Sequence, residues 1–125
     1  MLNHVNLVVG DLEKSKKFFQ AALAPLGYKL LVEHPKSAGF GQADIEGSRD
    51  FWIKEGLVGD NKSFSCLAFT APNKETVDYF HKQAIKAGAK DNGPPGYRPN
   101  YHAGYYAAYV IDPNGYNIEA IFDDL

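Results

Sequence analysis

The sequence predicts an α+β fold made of two βαβββ modules, and three observations carry that expectation. Laid over itself at an offset of 62 residues, the chain repeats its order of events: His4-Val5-Asn6-Leu7-Val8 falls on Cys66-Leu67-Ala68-Phe69-Thr70, and Phe18 falls on Phe80. Each of these short apolar segments runs into a capped amphipathic helix. Near the end, Asp112-Pro113-Asn114-Gly115 sits between two alternating segments as a hairpin signal, Pro presetting φ and Gly accepting a positive value.

In the first module, His4 to Val8 reads as a strand. Asp11 follows as an N-cap whose carboxylate can accept from free backbone N–H groups, and Leu12, Ser15, Phe19, Ala22, Leu23 and Leu26 trace one helical face up to Gly27. Strand-like sequence then occupies Tyr28 to Glu33, Ala38 to Ile45 and Asp50 to Lys54. In the second module Asn73 caps, Val77, Phe80, His81, Ala84, Ile85 and Gly88 form the face, and Gly88 stops the helix. A short strand near Lys90, then Tyr105 to Ile111 and Tyr116 to Phe122, complete the pattern. One sheet with one helix buries a single face, so the two modules are expected to combine around a shared cavity, within the chain or between two chains.

Composition narrows the function. With 125 residues, 45% hydrophobic and 22% charged, the chain has apolar side chain enough for a real core, which excludes disordered and collagen-like readings. The longest apolar run, Tyr105 to Ile111, is far short of the roughly 20 residues of a spanning helix, so no membrane segment is expected. The first residues lack the basic and apolar blocks of a secretory signal, and the single Cys66 cannot form an internal disulfide; a cytoplasmic location is the expectation. A net charge of −2, with Arg49 and Arg98 as the two arginines, makes nucleic acid an unexpected partner.

The opening Asn3-His4-Val5-x-Leu7-x-Val9-x-Asp11-Leu12-x-x-Ser15-x-x-Phe18-Phe19, the repeat, and Ile111-Asp112-Pro113-Asn114-Gly115-Tyr116-Asn117-Ile118-Glu119 together resemble the vicinal oxygen chelate superfamily of glyoxalases, bleomycin-resistance proteins and extradiol dioxygenases. The resemblance covers nearly the whole chain. It implies one glyoxalase-like domain over 1–125, with module one at 1–60 and module two at 63–125, and a concave mixed sheet around a cavity; a homodimer is expected because the modules can pair across chains and a small domain of this kind leaves sheet edges and apolar helix faces to cover. It also implies a divalent metal (Zn, Ni, Fe or Mn) held by a His on the first strand of each module and a Glu on the last strand.

Carried over, those positions are His4, Cys66 and Glu119, with Cys66 where relatives commonly carry His. A fourth ligand position of glyoxalase-type members lands near Trp52, which cannot ligate. An imidazole and a carboxylate are too few for a catalytic site that usually takes three protein ligands, so the metal rests on Cys66. A thiolate binds Zn²⁺ well, but a lone Cys is more often a small core residue. For His4 the plain alternative is a hydrogen-bonded strand residue. For Glu119, which shares one strand face with Asn117 and Ile121, it is a solvated sheet face.

Residues 91–104 hold three Gly and three Pro with almost no aliphatic side chain and read as a long, stiff loop. Arg98, Asn100, Tyr101 and His102 supply a cation, an amide, a phenol and an imidazole, a set suited to an anionic, oxygen-rich ligand; the alternative is a cover over one end of the fold. Trp52, Arg98, Tyr101 and Tyr106 are the expected ligand-binding residues, and Glu119 and His102 the candidate proton carriers. Three functions compete: a metal-dependent lyase, isomerase or dioxygenase acting on vicinal oxygens; a metal-free protein binding an antibiotic or metabolite; and a structural dimer with a vestigial cavity. The two changed ligand positions count against glyoxalase I itself. No residue identifies the substrate.

Overall fold

A computed structural model describes residues 2–59 and 66–123. The ends of the two expected modules, at 60 and 63, lie outside the described residues. Strands β1 (Val5–Val9), β2 (Tyr28–His34), β3 (Ser37–Gln42) and β4 (Phe51–Glu55) form one sheet in the order β1-β4-β3-β2, with helix α1 (Leu12–Leu23) between β1 and β2. Strands β5 (Leu67–Thr70), β6 (Lys90–Tyr97), β7 (Tyr105–Ile111) and β8 (Asn117–Asp123) repeat it as β5-β8-β7-β6, with α2 (Lys74–Lys86) between β5 and β6. In both sheets the first and last strands pair in parallel and the other pairs are antiparallel, so both sheets are mixed, as expected.

The helices begin where the caps predict. Asp11 accepts from the Lys14 N–H at 3.1 Å, and Asn73 accepts from the Thr76 N–H at 2.8 Å. The first helix ends sooner than its apolar face suggests: the α-helix stops at Leu23, and Ala24–Leu26 tighten into a 3₁₀ turn. Pro25 has no N–H for the α-helical bond, and Gly27, at φ 84°, closes the turn. Strand β3 also ends early, at Gln42 rather than Ile45, because Ser48 Oγ accepts from the Gln42 N–H at 2.9 Å and bends the chain away.

Strand alternation sorts the side chains. Leu7, Val9, Phe40, Phe51 and Ile53 lie buried with Phe18, Phe19, Ala22 and Leu23 of α1, and Phe69, Ala108, Val110, Ile118 and Ala120 lie buried with Val77, Phe80 and Ala84 of α2. These belong to one continuous core. A chain of edge-on rings crosses it, Phe19 to Phe51 at 5.0 Å and Phe51 to Phe69 at 5.5 Å, stitching α1 and β4 to β5 of the other sheet. The opposite strand faces, carrying His4, Asn6 and Trp52 in one sheet and Cys66, Tyr109 and Glu119 in the other, are left open for function.

The first half of the expected loop at 91–104 is a strand. Residues Lys90–Tyr97 pair with β7 through two register shifts, between Asp91 and Gly93 and between Gly93 and Gly96. Two prolines there are tolerated because β6 is the sheet edge and the irregular stretch needs no donors from them. A short connection follows, closed by the Arg98 N–H donating to Tyr105 O at 2.7 Å.

The hairpin signal has a second role. Asp112 accepts from the Asn114 and Tyr116 N–H groups at 3.0 and 2.8 Å, which sets the turn. The turn then grips the other module: Asn114 Oδ1 accepts from the Gly10 N–H at 3.0 Å, its Nδ2 donates to Ser15 Oγ at 3.1 Å, and the Tyr116 hydroxyl donates to Val8 O at 2.8 Å.

Candidate functional site

The open face of the second sheet gathers the densest polar chemistry. Glu119 sits mid-strand on β8, opposite Tyr109 of β7 and Ala68 of β5, and is half-buried. Asn117, two residues earlier on the same face, donates through Nδ2 to Glu119 Oε2 at 2.9 Å and accepts from Asn92 Nδ2 at 3.2 Å. Cys66, at the mouth of β5, shares that face. Burial first and the neighbouring Glu119 charge second push its thiol above the usual range, and the thiol hydrogen-bonds to that carboxylate. At neutral pH the pair is therefore a thiol donor and a carboxylate acceptor.

A cation reaches the same face. Arg98 folds back over the irregular stretch of β6, its Nη2 donating to Pro94 O at 2.7 Å and its guanidinium lying 4.9 Å from the Tyr109 ring centre. Only glycine leaves the room: a Cβ on Gly93 would lie 2.6 Å from Tyr109 and 3.2 Å from Arg98. Arg98 and Glu119 thus flank one phenol, Tyr109. Burial and the Glu119 charge raise the Tyr109 pKa, with Arg98 opposing, so the hydroxyl keeps its proton. Tyr105 lies on the same face, and Tyr101 packs on it at 4.8 Å.

Other expected residues lie elsewhere. Tyr106 turns to the helix side, where its hydroxyl donates to Asp78 of α2 and its ring meets Tyr97 edge-on at 5.1 Å, because it alternates with Tyr105 and Tyr109. It therefore does not share the face of Glu119. His102 closes the β6–β7 connection, one ring nitrogen against Ala103 O at 2.8 Å and the other against the Asp123 carboxylate at 3.1 Å. Both partners are acceptors, which commits both ring nitrogens to donating and raises the pKa, the Ala103 carbonyl contributing most. It pairs with the far end of β8 and does not meet Glu119.

His4 and Trp52 lie on the open face of the first sheet. The Trp52 indole donates to Arg49 O at 2.9 Å, stacks on His34 at 6.2 Å and covers Gly39, where a Cβ would lie 2.8 Å from the ring. With Arg49, Asn3 and Asn6, His4 and Trp52 bound an open recess of about 500 Å³. One chain therefore brings Cys66 to Glu119 but holds His4 on the other sheet. Among the described residues no group of three His, Cys, Asp or Glu side chains is placed to hold a metal ion. Within the described residues of one chain, His4, Cys66 and Glu119 do not form such a group. Sequence reasoning had no signal for the reach of Arg98 across Tyr109, which depends on the β6 register shifts.

A family model, the Glyoxalase/Bleomycin resistance protein/Dioxygenase superfamily, matches residues 1–120. Among solved structures, the chain is 32% identical to a glyoxalase/bleomycin resistance protein from Albidiferax ferrireducens T118, with a TM-score of 0.81 and 98% of each chain covered. It also matches the fosfomycin resistance protein FosX of Mesorhizobium loti, 20% identical with a TM-score of 0.75, covering 100% of this chain and 93% of that one. A variant of FosX from Listeria monocytogenes, solved with Mn(II) and 1S,2S-dihydroxypropylphosphonic acid, is 22% identical with a TM-score of 0.73, covering 96% of this chain and 87% of that one. The chain belongs to the glyoxalase/bleomycin resistance/dioxygenase superfamily. Among the described residues, no helix is long and apolar enough to cross a membrane.

Proposed function

We propose that this chain binds a small, oxygen-rich, anionic molecule on the open face of the second sheet. The observation that carries the reading is the convergence of Arg98 and Glu119 on Tyr109, with the Cys66 thiol beside the carboxylate. A guanidinium offers paired N–H donors to a carboxylate or phosphonate, while Glu119 accepts from a ligand hydroxyl and the tyrosines supply apolar walls. The ligand solved with the Listeria relative, with one anionic head and two hydroxyls, has that polarity.

Binding tests it directly. A panel of hydroxycarboxylates and hydroxyphosphonates, screened by thermal shift and confirmed by calorimetry, should yield ligands that lose tenfold or more in affinity with Arg98→Ala, a charge-assisted contact contributing about 1.5–3 kcal/mol. Arg98 also packs on Tyr109 and bonds Pro94 O, so the substitution is expected to lower stability by about 1 kcal/mol, and affinities are compared well below the melting temperature. Ligands whose affinity ignores both Arg98→Ala and Glu119→Gln would overturn the reading.

A second reading, metal-assisted chemistry in a homodimer, draws on one observation: His4 and Glu119 both lie on open strand faces, on different sheets. A second copy laying its first sheet against this second sheet would bring the partner's His4 toward Cys66 and Glu119. Histidine restores the family's ligand where cysteine stands, so Cys66→His should strengthen Zn²⁺ or Mn²⁺ binding and His4→Ala should abolish it. No metal uptake even by Cys66→His would leave the metal-free reading alone.

A further inference from the structure

A second cavity, of about 290 Å³, lies where β1 and β5, each the edge of its own sheet, approach one another. It adjoins the face of Glu119 through Ala68, but neither Glu119 nor Arg98 lines it. Three aromatic rings line it, Tyr28, Phe51 and Phe69, with Phe69 edge-on to Tyr28 at 5.3 Å and to Phe51 at 5.5 Å. Its polar lining includes one carboxylate. The exposed Asp50 carboxylate accepts a hydrogen bond from the Tyr28 hydroxyl on Oδ2 at 3.1 Å, which leaves Oδ1 with no partner among the described residues. Next to it, His4 Nδ1 lies 2.9 Å from the Asn3 side-chain oxygen. Gln42 adds an amide.

Among the described residues, Asp50 is the sole acidic residue lining this space, and no Lys or Arg lines it. Arg49, its neighbour in sequence, lines the other recess beside Trp52. Burial, with the Asp50 charge second, pushes the Tyr28 pKa up to about 12, so the phenol stays a neutral donor to Asp50 and adds no competing anion. Aromatic faces attract cations through the ring quadrupole, and a carboxylate at the mouth supplies the counter-charge.

We infer that the cavity between the two sheets is a binding site for a small ammonium ligand with a compact apolar body, its cation on Asp50 and its body among Tyr28, Phe51 and Phe69. This goes beyond the anion site at Arg98 and is independent of it.

Benzylammonium, benzyl alcohol and benzoate share one apolar body and differ in charge. Titrated into the full chain, benzylammonium should bind at least tenfold more tightly than the other two, and Asp50→Asn, which keeps the shape and can still accept from Tyr28, should remove that advantage. Backbone amide shifts in the wild type should move at Phe51, Leu67 and Phe69, a readout that needs no variant to fold. Equal affinity for amine and alcohol, an advantage that survives Asp50→Asn, or shifts confined to Tyr109 and Glu119 would overturn the inference. Arg98→Ala, which tests the proposed function, should leave benzylammonium affinity unchanged.

Discussion

Cys66 is exposed, yet its thiol keeps its proton because two effects act in the same direction: the protein around the sulfur displaces part of its water, and the carboxylate to which it donates resists a second negative charge. Removing that charge has a definite sign. Glu119→Gln should lower the Cys66 pKa toward that of an ordinary thiol, so the midpoint of its alkylation rate against pH moves down; an unmoved midpoint would show that burial alone holds the proton. His102 behaves oppositely. Its raised pKa means its stabilising contacts are complete below the pKa of an unfolded histidine and are lost as pH rises through the folded value. Asp123→Asn should lower the His102 pKa, read by NMR titration, but only in part, since the Ala103 carbonyl is the larger cause. Strand alternation made much of this legible in the sequence: it places Asn117 with Glu119, and Tyr106 opposite Tyr105 and Tyr109. What alternation cannot tell is which face looks toward the helix, and Tyr106 falls on that side because α2 presents Asp78 to its hydroxyl.

At the level of elements, caps and turns were readable because their chemistry is local, as Asp11 and Asn73 show within three residues of their partners. Strand β6 was not, since Pro94 and Pro95 argue against a strand and only an edge position with two register shifts accommodates them. The grip of Asn114 was equally hidden, spanning 104 residues to Gly10. That grip joins the β7–β8 turn to the start of α1, so its loss should loosen the two halves together. Asn114→Ala is expected to cost about 1–3 kcal/mol in chemical denaturation, and Tyr116→Phe about 1 kcal/mol through the Val8 bond. An Asn114→Ala midpoint equal to wild type would mean that the core holds the modules without the turn. Strand β6 is tied to α2 by His81 and Asp91 at 2.9 Å, and the Asp91 pKa is lowered chiefly by that bond. The tie is complete above the pKa of an unfolded aspartate and is lost as pH falls through the lowered folded value, so amide exchange in β6 should quicken on acidification before it does in β7.

Across the whole molecule, the internal repeat explains both what is present and what one chain lacks. Duplication supplies two open sheet faces, one with His4, Trp52 and Arg49 and one with Cys66, Tyr109, Glu119 and Arg98, and a single core holds them on different sheets. The unpaired edges of β1, β2, β5 and β6 and these two faces favour a second copy. Sedimentation at micromolar concentration should show a species of twice the chain mass; a monomer alone would remove the shared metal site while leaving the anion site of one chain intact. The central claim, that the ligand sits between Arg98 and Glu119, is tested most directly by backbone amide shifts on titrating the tightest hydroxycarboxylate or hydroxyphosphonate from the panel. The account predicts changes concentrated at Cys66, Tyr105, Tyr109, Asn117 and Glu119 that vanish in Arg98→Ala. Changes confined to the face of His4 and Trp52, or persisting undiminished in Arg98→Ala, would contradict it.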